Sequence, residues 1–131
     1  MSSNVPDDLR YTKDHEWAKR DGKTVRVGIT AFAVDQLGDI TLVELPKVGA
    51  KIEVGKPFGT VESVKTLSDL FAPMSGKVVA VNEKLAANPE LVNEGAYEHG
   101  WMIAIEPDDG AAFDALLDAA SYRKHLDETA H

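Results

Sequence analysis

Residues 55–83 read GKPFGTVESVKTLSDLFAPMSGKVVAVNE. GKPFGTVE (55–62) can be laid on GKVVAVNE (76–83). Glycine, lysine and glutamate match at the same offsets, and apolar residues fall in similar places. The two glycines stand ten residues before and eleven after Lys65. Two strand units related by a rough two-fold would meet at a hairpin, with Lys65 at its tip. Of the ten lysines in the chain, this spacing holds Lys65 away from the core and offers it to solvent. Position alone also suits an ordinary polar turn residue.

Outward from this stretch the chain is a series of short strands. TVRVGI (24–29) puts Val25, Val27 and Ile29 on one face, the alternation of a half-buried strand. Thr30 is placed to cap a short helix, AFAVDQL (31–37), with Gly38 as its stop. ITLVEL (40–45) reads as a strand halted by Pro46. Gly49, Gly55 and Gly59 mark turns between short strands, one of which holds VES (61–63). Ala72-Pro73 sets an extended segment and Ser75-Gly76 a turn before the strand KVVAVNE (77–83). NPELVNEG (88–95) is a loop or turn region built on Asn88-Pro89. WMIAI (101–105) alternates with Trp101, Ile103 and Ile105 inward, and Pro107 ends it. From Asp108 the period becomes helical, through Phe113, Leu116, Leu117, Ala120, Tyr122 and Leu126. The pattern predicts a mainly β protein, barrel or sandwich, with one short internal helix and C-terminal helices. One domain is expected over 1–131: an arm (1–10), a β core with the lysine hairpin (11–107) and a helical segment (108–131).

Composition narrows the function classes. With 131 residues, 44% hydrophobic and 27% charged, the chain is an ordinary globular one. A net charge of −8 leaves no basic patch for nucleic acid and favours partners with positively charged mouths. The chain has no cysteine, so disulfides, thiolate metal sites and cysteine nucleophiles are excluded. No apolar run reaches membrane-span length, and MSSNVPDDLRYTKDHEW lacks a signal core. The expected setting is a bacterial cytoplasm.

The other chemistry-bearing residues read as structural. His15-Glu16 is not a zinc motif, because no second histidine follows one helical turn on. His15, His99, His125 and His131 show no ligand spacing. Trp17 and Trp101 read as packing residues. Asp7-Asp8 reads as a solvated arm and Asp108-Asp109 as a helix-start charge.

ESVKTLSDLFAPMSG (62–76) closely resembles the lipoylation stretch of the glycine cleavage system H protein family. YTKDHEW (11–17), VGIT (27–30), QLGDI (36–40), VELPKVG (43–49), FGTVESVK (58–65), NPELVNEG (88–95) and YEHGWMIAI (97–105) resemble further family segments in the same order. Thr66-Leu67 is bulkier than the small pair often found there.

The resemblance implies a barrel-sandwich hybrid core of the biotinyl and lipoyl kind, with lipoate in amide linkage to Lys65. It implies a carrier, not an enzyme. Such a carrier takes an aminomethyl group from the pyridoxal-phosphate glycine decarboxylase (P-protein) to the tetrahydrofolate-dependent T-protein. It passes electrons to the flavin-dependent lipoamide dehydrogenase (L-protein). Glu62 would be read by a lipoate ligase or lipoyl/octanoyl transferase. Glu16 and Asp69 match acidic positions that dock the loaded arm, and Asp14 is a weaker candidate. Asp69 could instead be a turn-forming carboxylate, and Glu16 a solvated strand-edge one. A monomer is expected. An alternative role is a relay that donates lipoate to 2-oxoacid dehydrogenase domains. A biotin carrier is disfavoured, since its lysine normally lies between two methionines whereas Lys65 lies between Val64 and Thr66.

Overall fold

The computed structural model describes residues 5–129. Among these residues nine strands form two antiparallel sheets. The larger has the order β1 (Arg10–Tyr11), β2 (Glu16–Asp21), β3 (Thr24–Ile29), β9 (Ile103–Pro107), β8 (Gly76–Val81) and β5 (Lys51–Ile52). The smaller has the order β4 (Ile40–Glu44), β6 (Pro57–Ser63) and β7 (Leu67–Phe71). The sheets pack as a sandwich rather than closing into one barrel. Val25, Val27, Val78, Ile103 and Ile105 of the larger share one buried cluster with Val43, Phe58, Val61 and Leu70 of the smaller. This packing removes the apolar inner face of each sheet from water.

Local signals placed most elements. Val25, Val27 and Ile29 are buried as the alternation predicts. Gly28 between them is buried too, because the Trp17 indole lies where its Cβ would be. Helix α1 (Ala31–Leu37) is capped by Thr30, whose hydroxyl accepts from Ala33 N at 3.3 Å. It ends at Gly38, φ +81°.

Other expectations need correction. Gly59 is not a turn residue: it lies inside β6, where a Cβ would overlap the Glu44 carbonyl of β4. Gly76 opens β8, and the bend falls at Pro73-Met74. The stretch 84–94 holds two one-turn helices, α2 (Lys84–Ala87) and α3 (Leu91–Glu94), which bury Leu85 and Val92. Trp101 is half-buried outside the strand, with the Arg26 guanidinium 5.1 Å from its ring. The two halves of the internal repeat fall in different sheets, β6 in one and β8 in the other.

The C-terminal region splits into a 3-10 turn (Gly110–Ala115) and helix α4 (Ala119–Thr129). Between them Leu117 pairs with Tyr11 as an isolated bridge. Asp118 starts the helix anew, its carboxylate accepting from Ser121 N at 2.8 Å. That restart resets the phase, so Ala119 is buried and Ala120 exposed. A second cluster forms here from Val5, Leu9, Tyr11, Trp17, Ala119, Tyr122 and Leu126. It ties residues 5–11 to the C-terminal helix. The first four residues of the expected arm, and His131, lie outside the described residues.

Candidate functional site

Strands β6 and β7 form a hairpin in which Glu62 pairs with Leu67 and Lys65 stands in the exposed turn. No glycine makes this turn. Ser63, only 6% exposed, does so instead. Its hydroxyl accepts from Lys65 N and Thr66 N, each at 3.2 Å, and donates to Thr66 O at 3.3 Å. Sequence reading passed over Ser63; the signal was a serine followed by two backbone N–H groups within reach of its own hydroxyl.

The tip is also braced from outside. Val64 N donates to Asp39 O at 3.1 Å, joining the turn to the loop after α1. The Lys65 stem crosses Gly38, with Cε 3.4 Å from where a Cβ would stand. Gly38 is fixed in turn by Asn93, which donates to its carbonyl at 2.9 Å and accepts from Ile40 N at 2.9 Å. A one-turn helix from the connection between β8 and β9 thereby supports the surface on which the lysine lies.

Around the tip the surface is apolar and acidic. Val64 and Leu67 are 68% and 61% exposed. On the outer face Leu42, Glu62 and Leu67 form one cross-strand row and Glu44, Thr60 and Asp69 the next. Glu62 is thus exposed beside the lysine. Asp69 sits in the middle of β7, which rules out the turn-forming role for its carboxylate.

Glu16 is placed differently from the other acids. It is 2% exposed, so it is not a solvated strand-edge carboxylate. One oxygen accepts from Thr12 Oγ1 at 2.6 Å and the other from Phe71 N at 3.3 Å. β7 is an edge strand, and Glu16 occupies one of its outward N–H groups from the opposite sheet. At a strand rise of about 3.3 Å per residue, Phe71 lies about 13 Å along β7 from Leu67. The site is therefore elongated: Lys65 and Glu62 at the tip, Asp69 midway, Glu16 at the base. Burial raises the Glu16 pKa to about 7, against the opposing hydrogen bonds from Thr12 and Phe71 N, with a smaller upward contribution from Asp14. Asp14 itself is exposed in the turn before β2.

His15 precedes Glu16 with φ +70°, the left-handed region, which costs a non-glycine residue about 1–3 kcal/mol. Burial, then the neighbouring His125, hold its pKa below the ordinary value. Among the described residues no group of His, Asp and Glu is arranged to hold a metal ion. Trp17 packs as expected, and its indole N–H donates to Ala96 O at 2.9 Å. Asp7 is not merely solvated, since it pairs with Arg123 at 2.8 Å. Asp109 caps the 3-10 turn by accepting from Ala111 N at 2.9 Å.

A two-sheet sandwich that holds one lysine out on a braced hairpin is the architecture of the lipoyl and biotinyl class. Comparison with known proteins sharpens this. The family model for the glycine cleavage H-protein matches residues 9–129. The glycine cleavage system H protein of Halalkalibacterium halodurans is 54% identical over 126 residues, covering 96% of this chain and 98% of the relative. That of Anaeromyxobacter sp. (strain K) is 55% identical over 124 residues, covering 95% and 97%. The crystal structure of a glycine cleavage system H protein from Mycobacterium marinum superposes with a TM-score of 0.85 at 38% identity, covering 97% of this chain and 100% of that one. The chain belongs to the glycine cleavage H-protein family. It is a lipoyl-bearing shuttle, a carrier component of the glycine cleavage system.

Proposed function

We propose that Lys65 is the residue that bears lipoate, in amide linkage through Nζ. The observation that carries this is the hairpin: a solvent-exposed lysine on a turn locked by Ser63 and tied to Asp39. The surroundings fit the group. Exposed Val64 and Leu67 offer apolar footing for a hydrocarbon arm, and the stem already lies along Gly38. When bound, lipoate supplies the disulfide and dithiol chemistry that a chain without cysteine lacks.

The chain's own residues serve that group and its cargo. Glu62 is the carboxylate a lipoate ligase or lipoyl/octanoyl transferase meets first beside the lysine. Asp69 lies further along β7, and Glu16 of β2 meets the far end of that strand at Phe71 N, so an arm that folds back from the tip would pass toward both. Burial raises the Glu16 pKa to about 7, and among the described residues no cationic counter-charge stands beside the carboxylate to offset that burial. An incoming ammonium supplies that charge and draws the ionised form, so Glu16 would accept a charge-assisted hydrogen bond where water is scarce. The cargo read this way is an aminomethyl group moved from P-protein to T-protein, with electrons passed to L-protein. On this reading the chain catalyses no step itself and works in a bacterial cytoplasm; the relatives named above are bacterial. No helix among the described residues is long and apolar enough to cross a membrane.

The test is reconstitution. Glycine-dependent release of carbon dioxide, measured with P-, T- and L-proteins and the lipoylated chain, should fall to background with Lys65→Arg. The Lys65→Arg chain should unfold at the native temperature. Full turnover by that variant would refute the assignment.

A further inference from the structure

The turn between β1 and β2 is held from two sides. His15 N donates to Thr12 O at 3.2 Å, and Thr30 N donates to His15 O at 2.9 Å. The Thr12 hydroxyl accepts from Asp14 N and Glu16 N, each at 3.2 Å, and donates to the Glu16 carboxylate. The backbone of this turn therefore fixes where Glu16 points.

The His15 ring is docked outside that loop. It packs 4.7 Å from Phe32 of α1 and 5.7 Å from His125 of α4, centroid to centroid. Its Nδ1 shares a hydrogen bond of 2.9 Å with Tyr122 Oη, which shares another of 2.8 Å with Thr30 Oγ1. Tyr122 is anchored by stacking on Tyr11 at 4.6 Å, and His125 Nε2 lies 3.2 Å from Lys13 O. His15 is the one non-glycine residue with positive φ among the described residues, and the C-terminal helix packs on its ring. The Glu16 carboxylate that follows reaches the other sheet at Phe71.

We propose that His15 is a positioning residue. Docked between α1 and α4, it holds the 12–16 turn in the one shape that presents the Glu16 carboxylate to the Phe71 amide. The C-terminal helix thereby sets the base of the hairpin whose tip is Lys65. The inference concerns the chain without its modification, so it stands apart from what Lys65 bears.

The groups facing this turn are few. Lys13 and Asp14 lie in the turn itself, Tyr122 and His125 come from α4, and the uncharged Phe32 comes from α1. Glu16 meets Thr12, the Phe71 amide, Asp14 and, more distantly, Tyr122.

The experiment follows the Glu16 carboxyl carbon by NMR across pH in the unmodified full chain, in Tyr122→Phe and in His15→Gly. Tyr122→Phe deletes one oxygen and keeps the ring stacked on Tyr11. His15→Gly keeps the positive φ at no steric cost and removes the ring. If the ring positions the turn, both variants let water reach the carboxylate, and its midpoint should fall by about one pH unit. The Phe71 amide should exchange about tenfold faster in both. A role confined to backbone conformation leaves His15→Gly like the native chain. A native midpoint with native Phe71 exchange in either folded variant overturns the proposal. Should His15→Gly fail to fold, Tyr122→Phe decides alone.

Discussion

Two hairpins among the described residues end in a turn that exposes a lysine. In β2–β3 the residue is Lys23, and the turn is made by Gly22 at φ +63° with a single side-chain bond, Thr24 Oγ1 donating to Asp21 O at 2.9 Å. In β6–β7 the residue is Lys65, and the turn has no glycine. It is locked by a buried serine, bonded to the loop after α1 and flanked by exposed Val64 and Leu67. Exposure at a hairpin tip does not distinguish a carrier lysine. What distinguishes Lys65 is a turn whose shape is fixed by tertiary contacts, with apolar surface beside it that no core has claimed. On the proposed reading a modifying enzyme needs a lysine in a fixed frame, and of these two hairpins β6–β7 supplies it.

The largest test of this difference uses glycine. Gly59 lies in the β6 arm, where a Cβ would meet the Glu44 carbonyl. Gly59→Ala should force β6 away from β4 and cost roughly 3 kcal/mol in chemical denaturation. At Gly22 there is open space, so Gly22→Ala carries only the left-handed backbone penalty, about 1–2 kcal/mol. Equal losses would mean that the two hairpins are built alike.

Glu16 provides a second contrast, since a buried carboxylate braces the base of the Lys65 hairpin. Its pKa rises from an ordinary 4.5 to about 7 on folding, so ionisation opposes the fold by roughly 3 kcal/mol. The cost is absent below pH 4.5, grows as pH rises through the interval, and is complete above 7. Glu16→Gln should therefore match the native chain near pH 4.5 and exceed it in stability at pH 8. Parallel stability curves for the two chains would show that the carboxylate is solvated after all.

The smallest effects concern the turns themselves. Ser63→Ala leaves the Lys65 and Thr66 amides without their acceptor and should cost about 1–2 kcal/mol. It should also slow lipoylation. Thr24→Ala in the other hairpin removes one exposed bond, for about 0.5 kcal/mol, and should leave lipoylation at the native rate. Slowing by both substitutions alike would count against a special frame at Lys65.

Local chemistry explains why much of this was legible in the sequence. The β3 alternation, the Thr30 cap and the Gly38 stop are written in short runs, and the structure follows them. The repeat puts Lys65 at a hairpin tip, but the strand that completes the hairpin is β7, not the second repeat half, which lies in β8 of the other sheet. What the sequence hid depends on distant partners. Glu16 looks like any strand-start acid until β7 arrives to bury it. Gly59 looks like a turn until β4 passes over it. The helical phase after Asp108 misleads because Leu117 leaves the helix to pair with Tyr11, a residue more than a hundred positions away in sequence. Lys23 shows the converse: its hairpin is plain in the structure, and nothing in its flanks marks it for modification.

Peptide mapping of the chain after co-expression with a lipoylating enzyme tests the central claim most directly. The account predicts one lipoyl group per chain, found on the peptide containing Lys65, and an unmodified mass for Lys65→Arg. Lipoate on Lys23, or a lipoyl mass that persists in Lys65→Arg, would contradict it.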